Sequence, residues 1–143
     1  MNTLTVVNLQ RKVTLDAKAI RAFAATLPNE VAEASGRVFS VALVSDRRMT
    51  ELNGFFRGKD STTDVLSFPH EPDEFDTDST NLGDIVISAE QAQKQADENG
   101  LTLEAEIKQL IVHGLLHLCG YDHETDKGEM NARELELRER LGI

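Results

Sequence analysis

Asp64-Val-Leu-Ser-Phe68 and Gly83-Asp-Ile-Val-Ile87 are short apolar runs with β-branched or aromatic residues and no helical pattern between them. Pro69 ends the first run. Residues 70–82 hold five acidic residues and Pro72 and read as an exposed loop, with His70 solvated in it. Before this pair, strands alternate with helices along the chain. This pair of adjacent strands therefore decides the fold and predicts a mixed sheet packed with helices.

Working towards the N-terminus, Val38 to Val44 reads as a strand, followed by a short helix after Asp46 that turns Met49 and Leu52 inward. Residues 53–63, NGFFRGKDSTT, read as a polar loop that carries Arg57. Leu4 to Leu9 is a further strand. Ile20, Phe23, Ala24 and Leu27 fall at helical spacing, and Pro28 is expected to stop that helix. Towards the C-terminus, Ser88 and Gln91 have capping-box spacing, and the helix they start should end near Gly100. Thr102 caps the next helix, which buries Ile107, Leu110, Ile111 and Leu118 and ends at Gly120. A last helix puts Met130, Glu134, Leu137 and Leu141 on one face. The order is β-α-β-α-β-β-α-α-α, an α+β (mixed α/β) fold with a roughly four-stranded sheet and about five helices. A length of 143 residues suits one domain, 1–143, with a real core.

The N-terminal MNTLTVVNLQRKV lacks a basic segment followed by a long apolar run, so no signal peptide is expected. No stretch is long enough to cross a bilayer. One cysteine, Cys119, precludes an intramolecular disulfide, and a cytoplasmic setting is expected. The net charge of −10 speaks against a polyanionic partner, but it is unevenly spread. Residues 1–59 carry nine Lys/Arg and five Asp/Glu, whereas residues 60–143 carry six and twenty. A local basic face in the first part is compatible with that balance.

Three of the four histidines fall in His113-Gly-Leu-Leu-His117-Leu-Cys-Gly-Tyr-Asp-His123. His113 and His117, four apart on a predicted helix, leave the same face one turn apart. Gly120 lets the chain turn sharply and bring His123 over that face. Three imidazoles leave one tetrahedral position open, as in a catalytic zinc site. The spacing is that of metzincin peptidases, but the Glu that serves them as general base is replaced by Gly114. A peptidase of that type would lack its base. Glycine in mid-helix costs ~1 kcal/mol relative to alanine, and room for a bulky substrate beside the metal is one compensation. Cys119 points to a different helix face and reads as core. Asp122, Glu124 and Asp126 are candidates to orient the ligand rings. Asp84 and Asp122 are candidate general bases.

The string HGLLHLCGYDH closely resembles the signature of the YbeY family of bacterial endoribonucleases. Leu52-Asn53, Phe56-Arg57-Gly58-Lys59-Asp60, Thr63 to Pro69 and Gly83 to Ser88 are similar to that family as well. The acidic stretch between Phe68 and Gly83 is the least family-like part. The resemblance implies a single-strand-specific endoribonuclease that matures ribosomal RNA, notably the 3′ end of the small-subunit RNA, and takes part in ribosome quality control. It implies one Zn2+ held by His113, His117 and His123, a functional arginine at Arg57, and a zincin-like fold around the metal. The implied partners are single-stranded RNA, ribosomal RNA and the small ribosomal subunit, with ribosomal-protein or GTPase partners besides and no membrane. Three neutral ligands leave the full charge on such an ion, which favours an anionic phosphodiester. Arg57 can hold a phosphate through paired hydrogen bonds, with Lys59 assisting as a point charge. The alternative is a ribosome-assembly factor whose zinc is mainly structural, with little nuclease activity of its own.

Overall fold

In the computed structural model, which describes residues 4–71 and 80–143, the two adjacent strands do produce a mixed sheet. The strands are β1 (Thr5–Asn8), β2 (Val38–Val44), β3 (Val65–Pro69) and β4 (Asn81–Ser88), in spatial order β1-β2-β4-β3. β1, β2 and β4 run parallel, and β3 returns antiparallel on β4 as an edge strand. Gly83 makes this last pairing possible: it sits at φ 131°, and a Cβ there would run into the Phe68 carbonyl and the His70 amide of β3 and its end. Most of the predicted acidic loop, residues 72–79, lies outside the described residues.

Strand side chains alternate between the faces of a sheet, and here the alternation divides the core in two. Val41 and Leu43 of β2 and Ile85 and Ile87 of β4 point to one face, where they meet Leu27, Ile107, Ile111 and Leu115. Those partners belong to α1 (Ala17–Glu30) and α4 (Leu103–Leu118). Val44 and Val86 point the other way and pack with Leu66 and Met49, the latter on α2 (Asp46–Arg57). The remaining helices, α3 (Ala89–Asn99) and α5 (Glu129–Leu141), pack on α4. A short 3-10 turn, Ala32–Ala34, links α1 to β2.

The capping residues act where the sequence puts them. The Ser88 hydroxyl accepts the Gln91 amide at the start of α3, and Gly100 closes that helix in a left-handed conformation. Thr102 accepts the Ala105 amide at the start of α4.

Two expectations fail. Pro28 does not stop α1, which runs on to Glu30. Proline removes one helical hydrogen bond and crowds the preceding turn, but Leu27 and Val31 on either side are fully buried. Their anchorage keeps the last turn in place. The segment read as a loop from residue 53 is still helix as far as Arg57, and Gly58 at φ 66° ends it. Arg57 therefore stands on a helical turn. Asn53 is buried there and its side-chain amide donates to the Ser61 carbonyl at 2.9 Å, which ties down the chain beyond the helix.

Candidate metal centre

Half-buried His113 and His117 project from the last turns of α4 with ring centroids 4.9 Å apart. The helix then closes on itself: the Tyr121 amide donates to the Leu116 carbonyl at 3.0 Å, and Gly120 takes φ 103°. This turn carries the exposed His123 back to 5.6 Å from His113 and 5.2 Å from His117, ring to ring. One nitrogen from each ring lies within 4.8 Å of the other two. The spacing read from the sequence thus gathers the three rings as expected.

The hydrogen bonds decide which nitrogen each helical ring offers. His113 Nδ1 lies 2.6 Å from Glu134 Oε1, and His117 Nδ1 lies 3.0 Å from the Tyr121 carbonyl. An ionised carboxylate and a carbonyl only accept, so both Nδ1 atoms carry the proton. Both Nε2 lone pairs are then free. Burial lowers the His117 pKa from its ordinary 6.5, and the neighbouring His113 and His123 lower it further. A neutral ring with its tautomer fixed by an outer partner is what a metal ligand needs. The donor set therefore fits one zinc-like ion.

The outer partners are themselves held. Burial would raise the pKa of Glu134, but its hydrogen bond to His113 and the charge of Arg138 outweigh that and hold it down. Arg138 donates to the other Glu134 oxygen at 3.1 Å. The Tyr121 hydroxyl donates to Glu33 Oε2 at 2.8 Å, and Arg133 grips both Glu33 oxygens at 2.9 and 2.8 Å. The Arg133 bond is the main cause that lowers Glu33 to about 2. Glu33 lies in the 3-10 turn and Arg133 in α5, so the turn bearing His117's acceptor is tied to Glu33, which Arg133 in turn holds in place.

Sequence reasoning named other residues for this orienting role. Asp122 accepts the Glu124 amide instead, and Asp126 accepts the amides of Gly128 and Met130 at the start of α5. They shape the loop and do not bond to the rings. The signal for Glu134 was present: a carboxylate in the apolar stripe of the last helix needs a buried partner. Nothing local marked Glu33 or Arg133.

Gly114 has a different use from the one expected. A Cβ on it would come within 2.8 Å of Ile85 Cγ2 and 3.1 Å of Ser67 Oγ. The glycine lets α4 press against β3 and β4, and the Ser67 hydroxyl donates to its carbonyl at 3.3 Å. It makes no room for substrate, and a peptidase's glutamate could not be accommodated there. Cys119 is core-packed, as read, and burial pushes its thiol up to about 11.

The histidines floor a cleft of about 760 Å³. Its other walls include Phe56 and Arg57 of α2, Thr63 to Pro69 along β3, and Asp122 and Glu124. Arg57, exposed at the end of α2, thus faces the same cleft as the three rings. Asp84 is exposed on β4 and does not line it, so of the two candidate bases only Asp122 does. Lys59 and His70 are exposed and lie outside the lining.

Residues 5–142 match the family model described as Endoribonuclease YbeY. An Endoribonuclease YbeY of Caldanaerobacter subterraneus subsp. tengcongensis is 43% identical, the match covering 100% of this chain and 99% of that one. One of Nautilia profundicola is 50% identical, over 71% of this chain and 70% of its own. Among solved structures, the solution structure of TM1509 from Thermotoga maritima is similar with a TM-score of 0.65 and 30% identity, covering 97% of this chain and 90% of that one.

Proposed function

The chain belongs to the YbeY endoribonuclease family, and from that premise we propose that it is a zinc-dependent endoribonuclease cutting single-stranded RNA during ribosomal RNA processing. Its setting in this reading is the cytoplasm, as one domain over residues 1–143. It matures the 3′ end of the small-subunit RNA and serves ribosome quality control, with the small subunit and its protein or GTPase factors as partners. No helix among the described residues is long and apolar enough to cross a membrane.

The observation that carries the reading is the meeting of three histidines and Arg57 on one cleft. His113, His117 and His123 would hold the ion, which when bound supplies Lewis acidity towards a phosphoryl oxygen and a lowered pKa for water. The chain's own residues do the rest. Glu134 and the Tyr121 carbonyl keep the protons of His113 and His117 on Nδ1 and so keep Nε2 open. Arg57 offers a planar set of donors to a phosphate and to the charge that grows on it during attack. The cap at Gly58 fixes the last turn of α2, so the guanidinium starts from a rigid base.

A mainly structural zinc is the competing reading. Such sites are closed by a fourth protein ligand. Among the described residues the cluster contains three candidate donors, which favours an open, catalytic site.

The test is metal content by elemental analysis, together with cleavage of single-stranded RNA, on the unaltered protein and on His117→Ala. About one zinc per chain is expected, with metal and cleavage lost together in the variant. Cleavage that persists without metal would overturn the zinc-dependent reading.

A further inference from the structure

The segment Phe55-Phe56-Arg57-Gly58 places two phenylalanines and a guanidinium on consecutive positions of one helical turn. Large apolar side chains on a surface cost solubility, and a cluster beside a cleft marks a contact site. Phe55 is 84% exposed and Phe56 57%. They are not isolated. Phe55 meets Phe56 edge-on at 4.9 Å between centroids, and Phe56 meets Phe68 edge-on at 5.0 Å. Phe68 is anchored in β3 against the second core cluster. The three rings form a ladder that climbs from the sheet to the surface, and its two inner members line the histidine cleft beside Arg57.

We infer that Phe56, extended outward by Phe55, is a stacking platform for unpaired bases of an RNA strand whose phosphate lies at Arg57. The inference rests on the nuclease reading above and supplies a physical origin for single-strand preference. An unpaired base can leave its neighbours and lie on an aromatic ring, whereas bases in a duplex are already stacked and show only their edges. A nucleotide presents an apolar face and an anion in succession, and Phe56-Arg57 presents the complementary pair. An apolar protein partner would find no counterpart for the guanidinium inside the cleft. The platform is also preorganised. The left-handed cap at Gly58 and the Asn53–Ser61 hydrogen bond hold the turn, and Phe68 braces the ring from below.

The test uses zinc-loaded protein and a fluorescein-labelled 2′-O-methyl 12-mer, with its integrity checked on a gel and its affinity read by anisotropy. Phe56→Leu keeps an apolar side chain but removes the π face. It should weaken single-strand binding roughly tenfold, with metal content unchanged. Phe56→Trp should restore the affinity. An abasic oligomer of the same length should bind the unaltered protein and Phe56→Leu equally. Undiminished single-strand affinity in Phe56→Leu would overturn the platform while leaving the nuclease reading in place, as would equal loss for the abasic oligomer. Failure of the unaltered protein to bind or cut any RNA would overturn both.

Discussion

On one side of the cleft, His113 and His117 are half-buried and each is held by a partner on Nδ1. Those partners are fixed in turn by Arg138, Glu33 and Arg133. On the other side, Phe56 and Arg57, with Phe55 beyond them, stand out from a single capped helical turn. The first wall is specified by contacts that span the chain, the second by a capped helical turn tied to Ser61 and braced by Phe68. The difference follows from what each must hold. A metal ion needs its donors placed to a fraction of an ångström. A flexible polyanion adapts to a lip that is merely rigid and correctly charged.

The two walls should therefore fail separately. Arg57→Ala should lower RNA cleavage by roughly 10²–10³-fold, the range for removing one donor from a developing oxyanion, with zinc content unchanged. Loss of metal in that variant would mean that the walls are coupled. Glu134→Gln should lower zinc affinity by about 10–100-fold, the usual effect of altering an outer partner, as read by competition with a chromophoric chelator. If affinity held, the His113 tautomer would be set by something other than Glu134. Gly114→Ala tests the helix–sheet contact beneath the histidines. Helix propensity favours alanine by ~1 kcal/mol, yet the added methyl overlaps Ile85, and overpacking of this kind costs about 1–3 kcal/mol. A net loss of stability is expected in urea denaturation, and a net gain would show that the contact is slack.

The smallest effect concerns the clamp. Arg133 holds Glu33 at about 2, below its ordinary 4.5. A carboxylate depressed in the fold stabilises it fully above its unfolded pKa, and that contribution disappears as pH falls through the folded value. Metal-free unaltered protein should therefore melt about 2–4 °C above Glu33→Gln at pH 6. The gap should close between pH 4.5 and about 2. A gap that stayed constant over that range would assign the clamp no ionic part.

What the sequence disclosed follows the same division. Ser88, Gly100 and Thr102 act within one turn of themselves, so capping rules found their helices. The His-x-x-x-His spacing and Gly120 are equally local, and they sufficed to gather three rings. Glu33 and Arg133, separated by 100 positions, have no local signature, and their meeting depends on how α1 and α5 flank α4. Local rules also misjudged Pro28, because burial of Leu27 and Val31 outweighs one lost hydrogen bond. The two glycines and the charges of residues 53–63 suggested a loop, but α2 continues through Gly54 to Arg57 and ends only at its cap, Gly58.

The bracing of the histidine wall has a consequence for the order in which the protein comes into being. All three candidate ligands are in place by residue 123, yet Glu134 and Arg133 belong to α5, which starts at Glu129. During synthesis the chain carries all three candidate ligands before it carries Glu134, the residue that aims His113. A chain ending before α5 would keep the Tyr121 carbonyl on His117 but would lack the carboxylate that aims His113. The centre that the proposed function needs is thus completed only by the last helix, which supplies the partner of His113.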